Sequence, residues 1–277
     1  MMFKRTITGL ILAIVLIPLL LLGDWYFAVG VGILGFIATY ELLMMFSSKE
    51  PILRKLCLTV PLWSAATIIF GFIDNTMVLP MLVIGVIVFL IGMILNKHIT
   101  ANACVMMIFS YLYGGFLFYS MVILRNINIW ILAIVFITVM LTDVGGYIFG
   151  YLFGKHKLCP TISPKKTIEG AVLGTIFGVC CGTGAYFVVT RLIEEVVFST
   201  FSEMHIAIEI LCVVGITLLL AVTGQLGDLV ASKLKRAYDI KDFGKIFPGH
   251  GGVLDRFDST LIAGALMFVI CYMIGVI

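Results

Sequence analysis

Charge is what this chain has least of. Asp, Glu, Lys and Arg make up 12% of its 277 residues, against 62% hydrophobic residues. Soluble domains carry about 25% charged residues, so there is too little polar material to cover a water-facing globule. A mean hydropathy of +1.19 agrees. The alternation of apolar and polar residues that a membrane β-barrel needs is missing. The seven cysteines lack CxxC spacing and lie mostly within apolar runs, so neither a disulfide framework nor a zinc site is expected. Cys180 and Cys181 read as packing residues of a glycine-rich helix. The segment from Met1 to Arg5 and the apolar run after it resemble a signal peptide. No small-x-small cleavage site follows, and the segment reads instead as a retained first span. No stretch between apolar runs is large enough for a soluble domain, and no internal repeat is visible.

What the chain does have is apolar runs of roughly 20 residues, the length that crosses a hydrocarbon core. Backbone polar groups in lipid must be satisfied within the segment, so these runs are predicted to be helices. The expected fold class is all-α: a polytopic helical integral membrane protein with about nine spans. They are placed at 7–22, 25–46, 56–73, 76–95, 101–124, 127–153, 169–190, 206–230 and 257–277. With the N-terminus inside, sixteen of the eighteen Lys and Arg fall on the cytoplasmic side, leaving Arg125 and Arg191 outside. That bias orients the chain, N-terminus cytoplasmic and C-terminus outside. Lys49, Arg54, Lys55 and Lys97 read as orientation anchors that also attract anionic lipid headgroups. The chain is expected to form one membrane domain. Its first part, 1–125, is a helical scaffold offering lipid and dimer surfaces, and 126–277 is the catalytic part.

Ionisable residues at membrane depth are costly and therefore point to chemistry. Asp143 lies inside the span 127–153, with Gly145-Gly146-Tyr147 after it. Glu41 and Glu209 lie nearer span ends and rank below it. In 154–170, Ser163-Pro164 breaks the chain, and Lys165, Lys166 and Thr167 lead into the next helix. Free N–H groups at a helix N-terminus, two lysines and a hydroxyl make a phosphate site. A basic inner loop is equally compatible with that stretch.

The segment 224–259 carries the densest polar pattern. If its first part is helical, Asp228, Ser232 and Lys235 share one face. Gly244, Pro248, Gly249, Gly251 and Gly252 break the middle into a loop. The final span then opens with Asp255, Asp258 and Ser259 on one face. Two helix ends are thus expected to bring carboxylates to one membrane depth, joined by a cationic glycine loop. Carboxylates with room for water and substrate phosphates suit Mg²⁺. Lysine and arginine neutralise phosphate oxygens, and glycines let backbone N–H groups approach a polyphosphate.

The run from Ser232 to Asp258 resembles the signature of the phosphatidate cytidylyltransferase (CDP-diacylglycerol synthase) family. The elements that carry the likeness are Ser232, Lys235-Arg236, Lys241-Asp242, Gly244, Phe247-Pro248, His250-Gly251-Gly252, Asp255-Arg256 and Asp258. The blocks from Asp143 to Lys155 and from Ser163 to Gly170 are similar to family motifs as well. The motif resemblance covers roughly 140–260; the first half is similar only in hydropathic character.

The resemblance implies a nucleotidyltransferase of phospholipid biosynthesis that joins CTP to phosphatidate in the bilayer, yielding CDP-diacylglycerol and pyrophosphate. It also implies a homodimer. The length and single-block architecture look bacterial, which points to the lipids of a bacterial cell (inner) membrane, the charge bias puts the site on the cytoplasmic side, and no nucleic acid partner is expected. Expected metal ligands are Asp228, Asp255 and Asp143, holding Mg²⁺, with a second cation left open. Asp228, Asp255, Asp258 and Lys166 are the expected catalytic residues. The substrate set adds Ser163, Lys165, Thr167, Ser232, Lys235, Arg236, Lys241, His250, Gly251, Gly252 and Arg256. A related enzyme using another lipid phosphate is the alternative. An ion or solute transporter fits less well, because midplane charges are nearly missing from the first half. The DGxxAR pattern of a CDP-alcohol phosphatidyltransferase is missing from the sequence.

Overall fold

The computed structural model describes residue 14 and residues 16–201, 205–247, 249 and 251–276. Half of the first expected span, 7–22, falls outside the described residues, and so do Pro248 and His250. The described chain is all-α but for one small hairpin. Its helices are α1 (Asp24–Phe46), α2 (Thr59–Ile73), α3 (Val78–Leu95), α4 (Ala101–Tyr111), α5 (Leu117–Ile127), α6 (Ile129–Phe153), α7 (Ile168–Leu192), α8 (Ile206–Ala237) and α9 (Leu254–Met273). A single π turn, Leu112–Phe116, joins α4 to α5 within one apolar rod, Ala101–Ile127. Among the described residues, seven helices are long and apolar enough to cross a membrane, and the 15-residue α2 is a shorter apolar helix. The chain is a polytopic helical membrane protein.

Two differences from the expected boundaries matter. The helix expected over 206–230 runs on to Ala237. Thirty-two residues rise about 48 Å, well beyond a hydrocarbon core of about 30 Å, so the last turns, from Asp228 to Arg236, are built to stand in polar surroundings. The final helix starts at Leu254, a turn earlier than expected, because Val253 and Leu254 N–H find an acceptor described below.

The chain divides into two compact units. The first comprises 1–123 and 237–257. Within it, the π turn lets Gly114 and Gly115 press on neighbouring helices. A Cβ on Gly114 would lie 2.8 Å from the Thr39 backbone nitrogen, and one on Gly115 would lie 2.6 Å from Ser64 Oγ. At the same depth Thr39 Oγ1 donates to Ser64 Oγ (3.0 Å), satisfying two buried hydroxyls.

The second unit comprises 124–236 and 258–277. Its backbone is the α6–α7 pair. Gly170, Gly174, Gly178 and Gly182 recur every fourth residue and are all buried on one stripe of α7. A Cβ on Gly174 would sit 2.7 Å from Thr142 O, and one on Gly170 would sit 2.8 Å from Gly150 Cα. Lipid tails are as apolar as leucine, so helices in a bilayer associate through close packing of small residues. This stripe allows backbone-to-backbone approach along four turns.

Candidate active site

In the second unit, six of the expected site residues form one polar set. Asp143 on α6 accepts a hydrogen bond from Ser259 Oγ on α9 (3.1 Å). Its side chain is accessible at the surface although its helix is apolar. Lys166 forms an ion pair with Asp228 on α8. Ser232, one turn further along α8, points its Oγ at Asp228 Oδ1 over a long 3.5 Å. Lys235, the next turn on, lies 4.0 Å from Asp258 Oδ2. The expected shared face of Asp228, Ser232 and Lys235 is thus real.

Close packing explains why the set converges. A Cβ on Gly227 would lie 2.6 Å from Asp258 O, so only glycine lets α8 approach the start of α9 there. Gln225 Nε2 donates to Ala171 O (3.0 Å) and Thr175 Oγ1 (2.8 Å), tying α8 to α7. Asp143, Asp228 and Asp258 lie within electrostatic reach of one another, with Lys166 and Lys235 among them. Three carboxylates face two lysines here, so an incoming cation or phosphate meets partners of opposite formal charge.

Lys166 reaches this set from an unexpected element. Lys157–Cys159 and Ser163–Thr167 pair as an antiparallel hairpin, β1 and β2. Strand alternation places Lys166 on the opposite face from Ser163, Lys165 and Thr167. Thr167 ends the strand and caps α7, its Oγ1 accepting from Gly170 N (3.2 Å). Glu169, in the first turn of α7, accepts from Lys155 N (3.1 Å) and His156 N (3.2 Å) and meets His156 Nδ1 (2.5 Å). That carboxylate fastens the entry of the hairpin to the helix it precedes. Ser163 is half-buried and Lys165 exposed.

The first unit holds a different kind of set. Glu41 on α1 is 3% exposed, and its two oxygens accept from Val253 N and Leu254 N, both at 3.0 Å. These are N–H groups at the start of α9 that have no intrahelical acceptor. Asp255 Oδ2 accepts from Phe243 N (2.8 Å) and Gly252 N (2.9 Å). The loop is closed further by Phe247 N donating to Gly251 O (2.9 Å). Gly251 has φ +82° and faces Asp255, where an L side chain is strained and crowded. Lys241 and Arg256 are exposed, and so is Arg236 at the end of α8 in the second unit. Asp255 and Asp258, expected on one face, therefore serve two sets: the first organises the loop backbone and the second faces Lys235.

Among the described residues, no three His, Cys, Asp or Glu side chains close into a metal cage. The donors of the second unit are nonetheless hard oxygens, and one carboxylate is accessible. Mg²⁺ needs one or two carboxylates when water and substrate phosphates complete its shell, and the set fits that demand. Glu41, which ranks below Asp143 on sequence because it lies near a span end, is buried against the start of α9. The four-residue glycine repeat of α7 is a signal visible in the sequence, whereas the Glu169–His156 link depends on the hairpin.

The model of the cytidylyltransferase family matches residues 3–274. A phosphatidate cytidylyltransferase of Staphylococcus saprophyticus subsp. saprophyticus is 36% identical over 274 residues, covering 96% of this chain and 97% of the relative. A protein of the same name from Bacillus subtilis is 34% identical over 274 residues, with 96% of each chain covered. Another, from Staphylococcus haemolyticus, is 34% identical over 279 residues, covering 96% of this chain and 97% of the relative.

Proposed function

The chain belongs to the cytidylyltransferase family, and from that premise we propose that it joins CTP to phosphatidate, releasing CDP-diacylglycerol and pyrophosphate. The observation that carries the reading is the polar set of the second unit. Two lysines and three aspartates converge from three apolar helices and a hairpin. A scaffold has no use for so many charges converging at the ends of apolar helices.

The chemistry needs no nucleophilic side chain. An oxygen of the lipid phosphate monoester attacks the α-phosphorus of CTP, and the bond from that phosphorus to the oxygen bridging to the β-phosphate breaks. Pyrophosphate leaves with the bonding pair. Holding two anions in line and stabilising charge on the leaving group are the protein's tasks. Lys166 and Lys235 take phosphate oxygens, exchanging their carboxylate partners for substrate. Ser232 and Ser163 donate hydroxyl hydrogen bonds, and Thr167 keeps the Lys166 strand in register with α7. In the first unit, Lys241 and Arg256 are the cations of the loop, where Gly251 and Gly252 keep backbone close to a polyphosphate; in the second unit, Arg236 is a further phosphate-binding cation at the end of α8. His250 belongs to that loop by sequence.

Asp228, with Asp143 and Asp258 beside it, would hold Mg²⁺, which would supply positive charge to the triphosphate. Asp255 contributes its loop-binding Oδ2 to structure, which leaves metal binding chiefly to the second unit.

We also propose nine spans with the N-terminus and the site in the cytoplasm, supported by the sixteen-to-two distribution of Lys and Arg. A bacterial cell (inner) membrane is the proposed location, in keeping with the bacterial relatives, and a homodimer is the proposed assembly. The test is purified protein in lipid with radiolabelled CTP, phosphatidate and Mg²⁺. Label moving into the lipid phase with equimolar pyrophosphate is expected; no lipid-soluble label sinks the reading. For topology, a cysteine replacing Glu195 in a cysteine-free background is expected to react from outside only.

A further inference from the structure

We infer that Glu41 is a positioning residue for the loop 241–253: its carboxylate moulds the loop backbone and the start of α9, and thereby sets nucleotide affinity without touching substrate. The inference rests on the cytidylyltransferase reading above. It extends that reading to the half of the chain that carries none of the family-like motifs.

Four observations point the same way. Glu41 is buried on α1, and its two oxygens are engaged by backbone N–H groups of Val253 and Leu254 rather than by a side chain. Burying a carboxylate is costly, and charge-assisted bonds to two otherwise orphaned helix N–H groups are the return. Next, Gly244 and Gly252 both lie against this carboxylate so closely that a Cβ on either would run into it. Two separate points of the loop are therefore shaped to Glu41.

The third observation is shared control. Glu41 and Asp255 together hold four N–H groups, those of Phe243, Gly252, Val253 and Leu254. The fourth concerns the opposite end of the segment. Lys49, just past α1, donates to Ala237 O (3.1 Å) and sits 4.3 Å over the Tyr238 ring, while Phe46 packs edge-on against Tyr238. The cytoplasmic end of α1 thus grips both ends of the stretch that presents Lys241 and Arg256. A loop meant to meet a triphosphate gains affinity when its conformation is set beforehand.

The test is steady-state kinetics of Glu41→Gln in lipid nanodiscs. Glutamine keeps one acceptor and turns an NH₂ toward an N–H donor. KM for CTP is expected to rise at least about 10-fold with kcat within about threefold, the signature of lost binding rather than lost chemistry. Hydrogen exchange is expected to quicken in 241–254 and not in 129–153. Thr39→Ala, which removes the buried bond to Ser64 two residues before Glu41, is the control for damage to α1. It is expected to lower the melting temperature and leave KM unchanged.

Gly244→Ala attacks the same contact from the loop side with α1 intact, and the same KM rise is expected even where Glu41→Gln folds poorly. In a Glu41→Ala background, where the clash has gone, the Gly244→Ala penalty should shrink. Wild-type KM in either Glu41→Gln or Gly244→Ala overturns the inference, and so does an equal KM rise in Thr39→Ala. If the wild type transfers no label from CTP to lipid, the functional reading has failed instead.

Discussion

The two units use the same residue type for opposite ends. In the first, Glu41 and Asp255 are buried and spend their oxygens on backbone N–H groups. In the second, Asp143, Asp228 and Asp258 meet the side chains of Ser259, Lys166, Ser232 and Lys235, and Asp258 also accepts a backbone bond, Oδ1 from Ser259 N (2.9 Å), leaving its Oδ2 to Lys235. Backbone donors cannot leave, so the first arrangement is permanent architecture. Lysines and hydroxyls on side chains can change partners, so the second is available for exchange with phosphates and a cation. Asp228→Asn breaks this comparison most directly. Turnover is expected to fall at least about 1,000-fold, near 4 kcal/mol of lost transition-state stabilisation, with a melting temperature close to wild type. Asp255→Asn should instead lower the melting temperature through the loop. Kinetics and thermal unfolding of both variants decide it, and the reversed pattern would mean that the two units have been assigned the wrong way round.

A smaller but still large effect is expected from Gly174→Val. Its Cβ would lie 2.7 Å from Thr142 O and 2.8 Å from Gly146 Cα, against backbone that cannot swing aside. Overpacking of this kind costs about 3 kcal/mol, and it should fall on the α6–α7 pair that carries Asp143 and follows Lys166. The expected outcome in detergent is a lower unfolding midpoint together with reduced activity. Retained stability would show that the glycine stripe is not what holds α6 and α7 together.

Much of this was legible beforehand. Apolar runs located the seven described helices that are long enough to cross a membrane, and the shorter α2, to within a few residues except at the far end of α8, because in lipid the backbone has no alternative to helix. The shared face of Asp228, Ser232 and Lys235 followed from helical spacing alone. What escaped was tertiary. Nothing local shows that Ser163–Thr167 pairs as a strand with Lys157–Cys159, since Pro164 and two lysines read as a loop. Nor does spacing reveal that Asp255 turns to Phe243 N while Asp258, three residues on, turns to Lys235. Glu41 was the hardest to rank, because its partners lie more than two hundred residues away in sequence.

Ser232→Ala probes how much of the second unit's set is fine positioning. Its Oγ lies 3.5 Å from Asp228 Oδ1, at the outer limit of a hydrogen bond, so the bond itself contributes little. Loss of about fivefold in kcat/KM is expected, equivalent to roughly 1 kcal/mol, with no change in folding. A loss as large as that of Asp228→Asn would give Ser232 a direct role on substrate.

Lys49→Met gives the smallest expected effect and sharpens the comparison from the other side. Lys49 grips Ala237 O and the Tyr238 ring from an exposed position, where water and salt compete for the ammonium. Methionine keeps the apolar stem over the ring and discards only the charge. KM for CTP is therefore expected to change less than about twofold, far below Glu41→Gln. The reason is burial: the Glu41 carboxylate has no water to replace its N–H donors, whereas Ala237 O can be solvated once Lys49 is gone. Equal effects at the two positions would mean that the upstream anchor constrains the loop as firmly as the downstream one.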